Sequence, residues 1–293
     1  MSDKKIRSWL QSYHESTLND PSHKCKTIAI ASGKGGVGKT STALKFSQIL
    51  SSRNQKVLLI DCDFNLSNTA VKLGLQLTNN FLKFLNNQAT IDDCIQKVNG
   101  FDLISACSGE TDLITKSENL TNEIVQIINT KESGYDYIIL DCPAGVSKNT
   151  LDLFAYCDEH IVVMTPERSS ITDSYSLIKL ISKTFNIKNI SLIVNKVSTK
   201  KQFIKLSNVF LNTVDQFLDC SVKILGSVEY INIALDRFDQ VLIKNAGSSL
   251  HKEFSKIIDT YTEKKWTDTE SVTSFLPINR KNLSGLEDNR SLR

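Results

Sequence analysis

The sequence contains no pair of cysteines spaced C-x-x-C, although it holds seven cysteines, at positions 25, 62, 94, 107, 142, 157 and 220. That scatter excludes a zinc knuckle and a redox dithiol, and an odd number of thiols suits a reducing compartment. No run approaches the ~18 apolar residues that a membrane-spanning helix requires. The N-terminus carries lysines with no apolar segment behind them, so no secretory signal is read and the expected compartment is the cytoplasm. A formal net charge of +3 over 293 residues is too small to argue for a nucleic-acid partner. There is no internal repeat. What remains, 40% hydrophobic and 23% charged residues, fits an ordinary globular chain with one sizeable core and terminal extensions.

Against that background one segment dominates: Gly33-Lys34-Gly35-Gly36-Val37-Gly38-Lys39-Thr40. It follows the apolar run Thr27–Ala31 and precedes a helix-like stretch from Ser41 to Ser52. Strand, glycine loop and helix together are the context of a phosphate-binding loop. Glycines let the backbone curl until successive N–H groups point at phosphate oxygens, and the helix that begins there adds the positive end of its dipole. Residues Gly35, Gly36, Val37, Gly38, Lys39, Thr40 and Ser41 are therefore the candidate nucleotide contacts. Lys39 supplies a point charge for the β- and γ-phosphates, and Thr40 a hydroxyl for Mg²⁺. Lys34 adds a second lysine near the start of the loop. A glycine-rich turn with incidental lysines is the bland alternative, and the loop spacing and its flanks argue against it.

Apolar segments and helical spacings alternate from there on. Val57–Asp61, Phe101–Ser105, Tyr137–Asp141, His160–Met164, Ile190–Val194 and Lys223–Val228 read as strands, near-continuously apolar as in a sheet covered on both faces. Ile124, Ile127 and Ile128 share a helix face; so do Leu177, Leu180 and Ile181, and Phe203, Leu206, Phe210 and Phe217. Leu250, Phe254, Ile257, Ile258 and Tyr261 make a core-like stripe. The expected fold is α/β: a doubly wound, mostly parallel sheet with helices on both faces and ligands at the carboxyl ends of the strands. Three regions are expected: residues 1–26 as an N-terminal helix and linker, 27–262 as the core domain that carries the phosphate loop, and 263–293 as a polar tail. In the first, Ile6, Trp9, Leu10 and Tyr13 fall on one helix face, suited either to the chain's own core or to a partner.

Two strand ends carry carboxylates. Asp61-Cys62-Asp63 places two acids at i and i+2, able to face the glycine loop together. Asp141-Cys142-Pro143-Ala144-Gly145 puts an acid where it can accept from a Mg²⁺-bound water, before a turn able to move. Asp capping a strand-to-helix turn is the plain alternative.

These motifs resemble the MinD/ParA ATPases. Lys34-Gly35-Gly36-Val37-Gly38-Lys39-Thr40 is similar to their deviant Walker A loop, and the resemblance implies that Lys34 reaches the partner's nucleotide across an ATP-sandwiched homodimer. It further implies that Asp63 positions the attacking water, that Thr40, Asp61 and Asp141 lie at the metal, that residues 64–68 form switch I, and that Asn195 reads adenine with its amide. Lys34, Lys39 and Asp63 are thus the expected catalytic set, with ATP or ADP and Mg²⁺ as cofactors. The segment Thr165-Pro166-Glu167-Arg168-Ser169-Ser170-Ile171-Thr172-Asp173-Ser174-Tyr175 resembles the FlhG (YlxH) branch, regulators of flagellar number. The resemblance spans roughly Lys26 to Tyr261. It implies a slow, dimerising ATPase that governs flagellum placement, with an FlhF-like GTPase of the signal-recognition-particle type, or flagellar components, as partner. It also brings in a peripheral position on the inner face of the cell membrane. Partitioning or division-positioning ATPases, and an ATP-sensing adaptor with little turnover, are the alternatives. The chain departs from the pattern in several places. Asn65 stands for a switch I glycine, Val228-Glu229-Tyr230-Ile231 replaces a V-P-Y-D-like turn, the D-Q-A-x-x-L-R element is missing from the N-terminus, and no basic amphipathic C-terminal helix is evident.

Overall fold

The computed structural model describes residues 25–63, 69–98, 100–105, 120–233, 235–244 and 247–263. The amphipathic stretch Ile6–Tyr13, the switch I segment 64–68 and the polar tail from 264 lie outside the described residues.

Strands β1 (Lys26–Ala31), β2 (Val57–Asp61), β3 (Gln96–Val98), β4 (Phe101–Ile104), β5 (Tyr137–Asp141), β6 (Glu159–Met164), β7 (Asn189–Val197) and β8 (Ser221–Glu229) form one sheet. Its order is β3-β4-β2-β5-β1-β6-β7-β8. Every pairing is parallel except β3 with β4 at one edge. Parallel neighbours need crossover connections, and helices supply them: α1 (Lys39–Ser52), α2 (Thr69–Lys72), α3 (Asn80–Leu85), α4 (Leu120–Lys131), α5 (Lys148–Tyr156), α6 (Arg168–Phe185), α7 (Lys200–Phe217), α8 (Leu235–Lys244) and α9 (Ser249–Thr262).

Alternation along the strands sorts side chains to two faces. Ile28 and Ile30 of β1 join a core with α1 and α9, through Phe46, Ile49, Phe254 and Ile257. Ala29 and Ala31 face the other way, into a core built with Ile124, Phe154, Leu177 and Phe210 of α4, α5, α6 and α7. Both faces are covered, so the central strands are apolar throughout. The fold is the doubly wound, mostly parallel α/β arrangement that the sequence leads one to expect.

Three details differ from the sequence reading. The strand at Phe101 ends at Ile104, and it is preceded by β3, which the apolar pattern does not reveal: its Lys97 side chain is 84% exposed. Leu180 is exposed, because Leu177, Ile178 and Ile181 already fill the buried face of α6. Phe217 is also exposed, at 61%, since it is the last residue of α7 and Leu218, one step on, takes the buried position.

Candidate active site

The order β2-β5-β1 places three chemically loaded loops at three adjacent strand ends. The glycine loop leaves β1, Asp61 ends β2, and Asp141 ends β5 in direct register with Asp61. Both carboxyl groups are buried, although nothing in the apolar strands before them calls for charge. The backbone N–H of Asp63 donates to Asp61 Oδ1 at 3.0 Å, which turns the D-C-D segment so that Asp63 lines the cleft above the loop.

Gly36 and Gly38 have φ of +74° and +98°, the left-handed region where side chains are disfavoured. At Gly38 a Cβ would also sit 2.1 Å from Asn195 Nδ2. Helix α1 then begins at Lys39, two residues earlier than the helix-like stretch read from the sequence. The Lys39 ammonium donates to Asp141 Oδ1 at 2.6 Å, with both groups buried. Burial opposes a charge on Lys39, but Asp141 outweighs it and holds the amine above its ordinary pKa. Burial pushes the Asp141 carboxyl up, against the pull of Lys39 and of Thr40 beside it, and nearby Asp61 pushes the same way as burial. The other Asp141 oxygen, Oδ2, is buried and has no hydrogen-bond partner among the described residues. The interleaved thiols take no part: Cys142 is pushed up to about 12, chiefly by burial, and Cys62 well above its usual value, so neither offers a thiolate.

The cleft has a volume of ≈ 480 Å³ and runs from the glycine loop to the turn after β8. Its polar end holds Lys39, Thr40 and Asp63; its apolar end is walled by Tyr230, Ile231 and Phe254. Asn195, at the end of β7, lies in this cleft, buried, with its amide against the loop: Nδ2 donates to the Val37 carbonyl at 2.7 Å. Lys34 stands apart from the others on the exposed rim, where its ammonium donates to Glu167 Oε2 and Ser169 Oγ, both at 2.8 Å. The lysine holds the Glu167 carboxyl below its ordinary pKa. Among the sequence-read residues, Lys39, Thr40, Asp61, Asp63 and Asp141 therefore converge, Asn195 joins them through the loop backbone, and Lys34 is held at the edge.

Two further residues touch the site without a sequence motif to mark them. Lys196, next to Asn195, donates to the Gly36 carbonyl at 2.7 Å. Lys72 of α2 lines the cleft and pairs with Asp239 of α8 at 3.0 Å. Adjacency to Asn195 was the only available signal for Lys196; Lys72 had none, because its partner is 167 residues away.

Comparison with known proteins agrees with this geometry. The profile of a family described as an AAA domain matches residues 25–194, more than half of the chain. The septum site-determining protein MinD of Synechocystis is 31% identical over 233 residues, covering 78% of this chain and 82% of the relative. The chain belongs to the MinD/ParA family of P-loop ATPases. The flagellum site-determining protein YlxH of Helicobacter pylori is 32% identical over 244 residues, 80% of this chain and 79% of that protein. Among solved structures, MinD of Pyrococcus horikoshii, complexed with Mg-ADP, superposes with a TM-score of 0.65 at 20% identity, covering 81% of this chain and 96% of its own. A putative plasmid partition protein of Borrelia burgdorferi bound to AMPPNP gives 0.64 at 27% identity, with 82% and 99% covered. The MinD/ParA fold is thus the frame of this molecule, with the glycine loop, Asp61 and Asp141 at adjoining strand ends.

Proposed function

We propose that this chain is an ATP-driven switch that dimerises on ATP, hydrolyses it slowly and acts as a spatial or numerical regulator of flagellum biogenesis. The observation that carries the nucleotide chemistry is the buried Lys39–Asp141 pair at the foot of a glycine loop, beside Asp61 and Asp63, in a cleft with an apolar far end. A triphosphate would compete with Asp141 for the Lys39 ammonium, and its base would extend toward Tyr230 and Ile231, with Asn195 alongside. Asp141 Oδ2, buried and unmatched by a hydrogen bond among the described residues, suits a cation's hydration shell, and Thr40 and Asp61 act on the same carboxyl. Thr40, Asp61 and Asp141 are the residues that would hold Mg²⁺, which when bound neutralises developing phosphoryl charge. In this reading Asp63, which lines the cleft above the loop, would orient the attacking water, and Lys34, on the exposed rim, would reach a second subunit's nucleotide.

Calorimetry tests the nucleotide site. Lys39→Ala should cut Mg·ATP affinity strongly, and unchanged affinity would overturn the assignment. Light scattering tests the switch. Asp63→Ala should bind ATP, turn over more slowly and accumulate as a dimer; a monomer with saturating ATP would refute the coupling.

The flagellar process is supported by the name of one relative, the flagellum site-determining protein YlxH of Helicobacter pylori. A division-positioning role is the second reading, favoured by the equally similar Synechocystis MinD. Deleting the gene separates them: altered flagellar number or position supports the first, and misplaced septa with normal flagella support the second.

A further inference from the structure

The Asn195-Lys196 pair makes two contacts with the glycine loop that share one geometry. Lys196 Nζ donates to the carbonyl of Gly36, and Asn195 Nδ2 to the carbonyl of Val37, each at 2.7 Å. These carbonyls belong to consecutive peptide units. A trans peptide is planar, with its C=O and N–H pointing in opposite directions. Drawing the Gly36 oxygen toward Lys196 therefore turns the Val37 N–H away from it, and drawing the Val37 oxygen toward Asn195 does the same for the Gly38 N–H. Two successive N–H groups directed alike make the concave donor array that binds an anion.

The pair is itself held in place. Lys196 has φ of +58°, which a residue with a Cβ seldom adopts, so its backbone is constrained by its surroundings. Its own N–H donates to Asn195 Oδ1 at 2.9 Å, fixing the amide with its nitrogen toward the loop. The fit leaves no slack: a Cβ on Gly38 would meet Asn195 Nδ2.

We propose that Asn195 and Lys196 are positioning residues for the phosphates, setting the glycine loop's N–H groups toward the anion by tethering the carbonyls of Gly36 and Val37. This rests on the nucleotide reading above and adds to it. On this account Asn195 serves the phosphate end of the ligand whether or not it also reads the base. A residue that only reads adenine would be indifferent to a ligand without a base.

The test is calorimetric titration of the full chain with inorganic pyrophosphate and with ADP, in the presence of Mg²⁺. Asn195→Ala removes one tether without changing charge, and Lys196→Met removes the other while keeping the stem. Each should weaken pyrophosphate by about tenfold or more, the range for a lost hydrogen bond that orients a charge-binding group. Lys196→Arg should restore most of that loss. Lys196→Gly, which suits φ above zero but has no amine, should not. Melting temperatures measured without ligand check that the variants are folded; the exposed Lys196 should barely move them. If Asn195→Ala weakens ADP yet leaves pyrophosphate at the wild-type value, Asn195 is a base reader and the proposal fails. Wild-type pyrophosphate affinity in Lys196→Met or Lys196→Gly also overturns it while leaving the nucleotide reading intact. Wild-type protein that binds neither ligand overturns both.

Discussion

Replacing Lys45 by methionine should make this protein more stable at neutral pH, although it removes a hydrogen bond. Lys45 lies on α1, four residues after Ser41 of the cleft, and its residue is only 1% exposed. Its ammonium donates to Gln48 Oε1 at 2.8 Å, a neutral acceptor. Burial alone pulls the amine down from 10.5 to about 8. Since the folded-state value is the lower one, the folded state favours the neutral amine. The destabilisation is fully present below pH 8, shrinks as pH rises toward 10.5, and is gone above that. A drop of about 2.5 pH units corresponds to about 3 kcal/mol at pH 7. Methionine keeps the apolar stem and removes the charge, but leaves Gln48 Oε1 without its donor, which costs about 1–2 kcal/mol. The net gain at pH 7 should be about 1–2 kcal/mol, read as a higher urea midpoint with an unchanged slope. The pH dependence is the sharper readout: the difference between variant and wild type should fall by about 2 kcal/mol from pH 7 to pH 9.5. A difference that does not move with pH, or a variant clearly less stable at pH 7, would refute the view that Lys45 carries an uncompensated buried charge.

Gly38→Ala should abolish measurable nucleotide binding, because its Cβ would lie 2.1 Å from Asn195 Nδ2 at φ +98°. Calorimetry on the folded variant checks this, and retained affinity would mean that the loop can shift at no cost. Lys34→Ala should leave the ligand-free melting temperature within about a degree, since its contacts with Glu167 and Ser169 are exposed and such surface pairs contribute little; thermal denaturation decides it. Deleting residues 1–20 should likewise leave the melting temperature nearly unchanged if the Ile6–Tyr13 face serves a partner. A fall equivalent to a few kcal/mol would instead place Trp9 in this protein's own core.

The strands were legible because both sheet faces are covered. Val57–Asp61 and Tyr137–Asp141 are runs that only a doubly buried strand sustains, and their bounds match β2 and β5 residue for residue. The edge escaped for the converse reason: β3 has three residues, none of them fully buried, and so no apolar signature. At the site, Lys39, Asp61 and Asp141 could be read because a loop motif and two strand ends carry them. The placement of Lys34 against Glu167 could not, since the contact joins residues 133 apart and depends on how α6 begins beside the loop. Asn195 was legible as a member of the cleft, but its hold on the Val37 carbonyl depends on a backbone path that composition does not encode. The burial of Lys45 was equally hidden, because helix spacing alone does not say which elements will close over a lysine.

The register of β2 against β5 has a consequence for how this chain can vary in length. Asp61 and Asp141 face each other across neighbouring strands, and both neighbouring pairings run straight back to the glycine loop on β1. One residue inserted into β2 or β5 would turn its aspartate to the opposite face of the sheet while driving isoleucines and leucines fitted to one packed core into the other. The core and the chemistry would fail together, leaving no intermediate in which a displaced carboxylate could be compensated. At β3 and the connection before it, by contrast, an added residue meets only an edge that carries none of the chemistry. Lengths should therefore be invariant over 57–61 and 137–141 and free to drift around 86–100, which makes the spacing of the two acids relative to their strands, more than the identity of the residues between them, the inherited quantity.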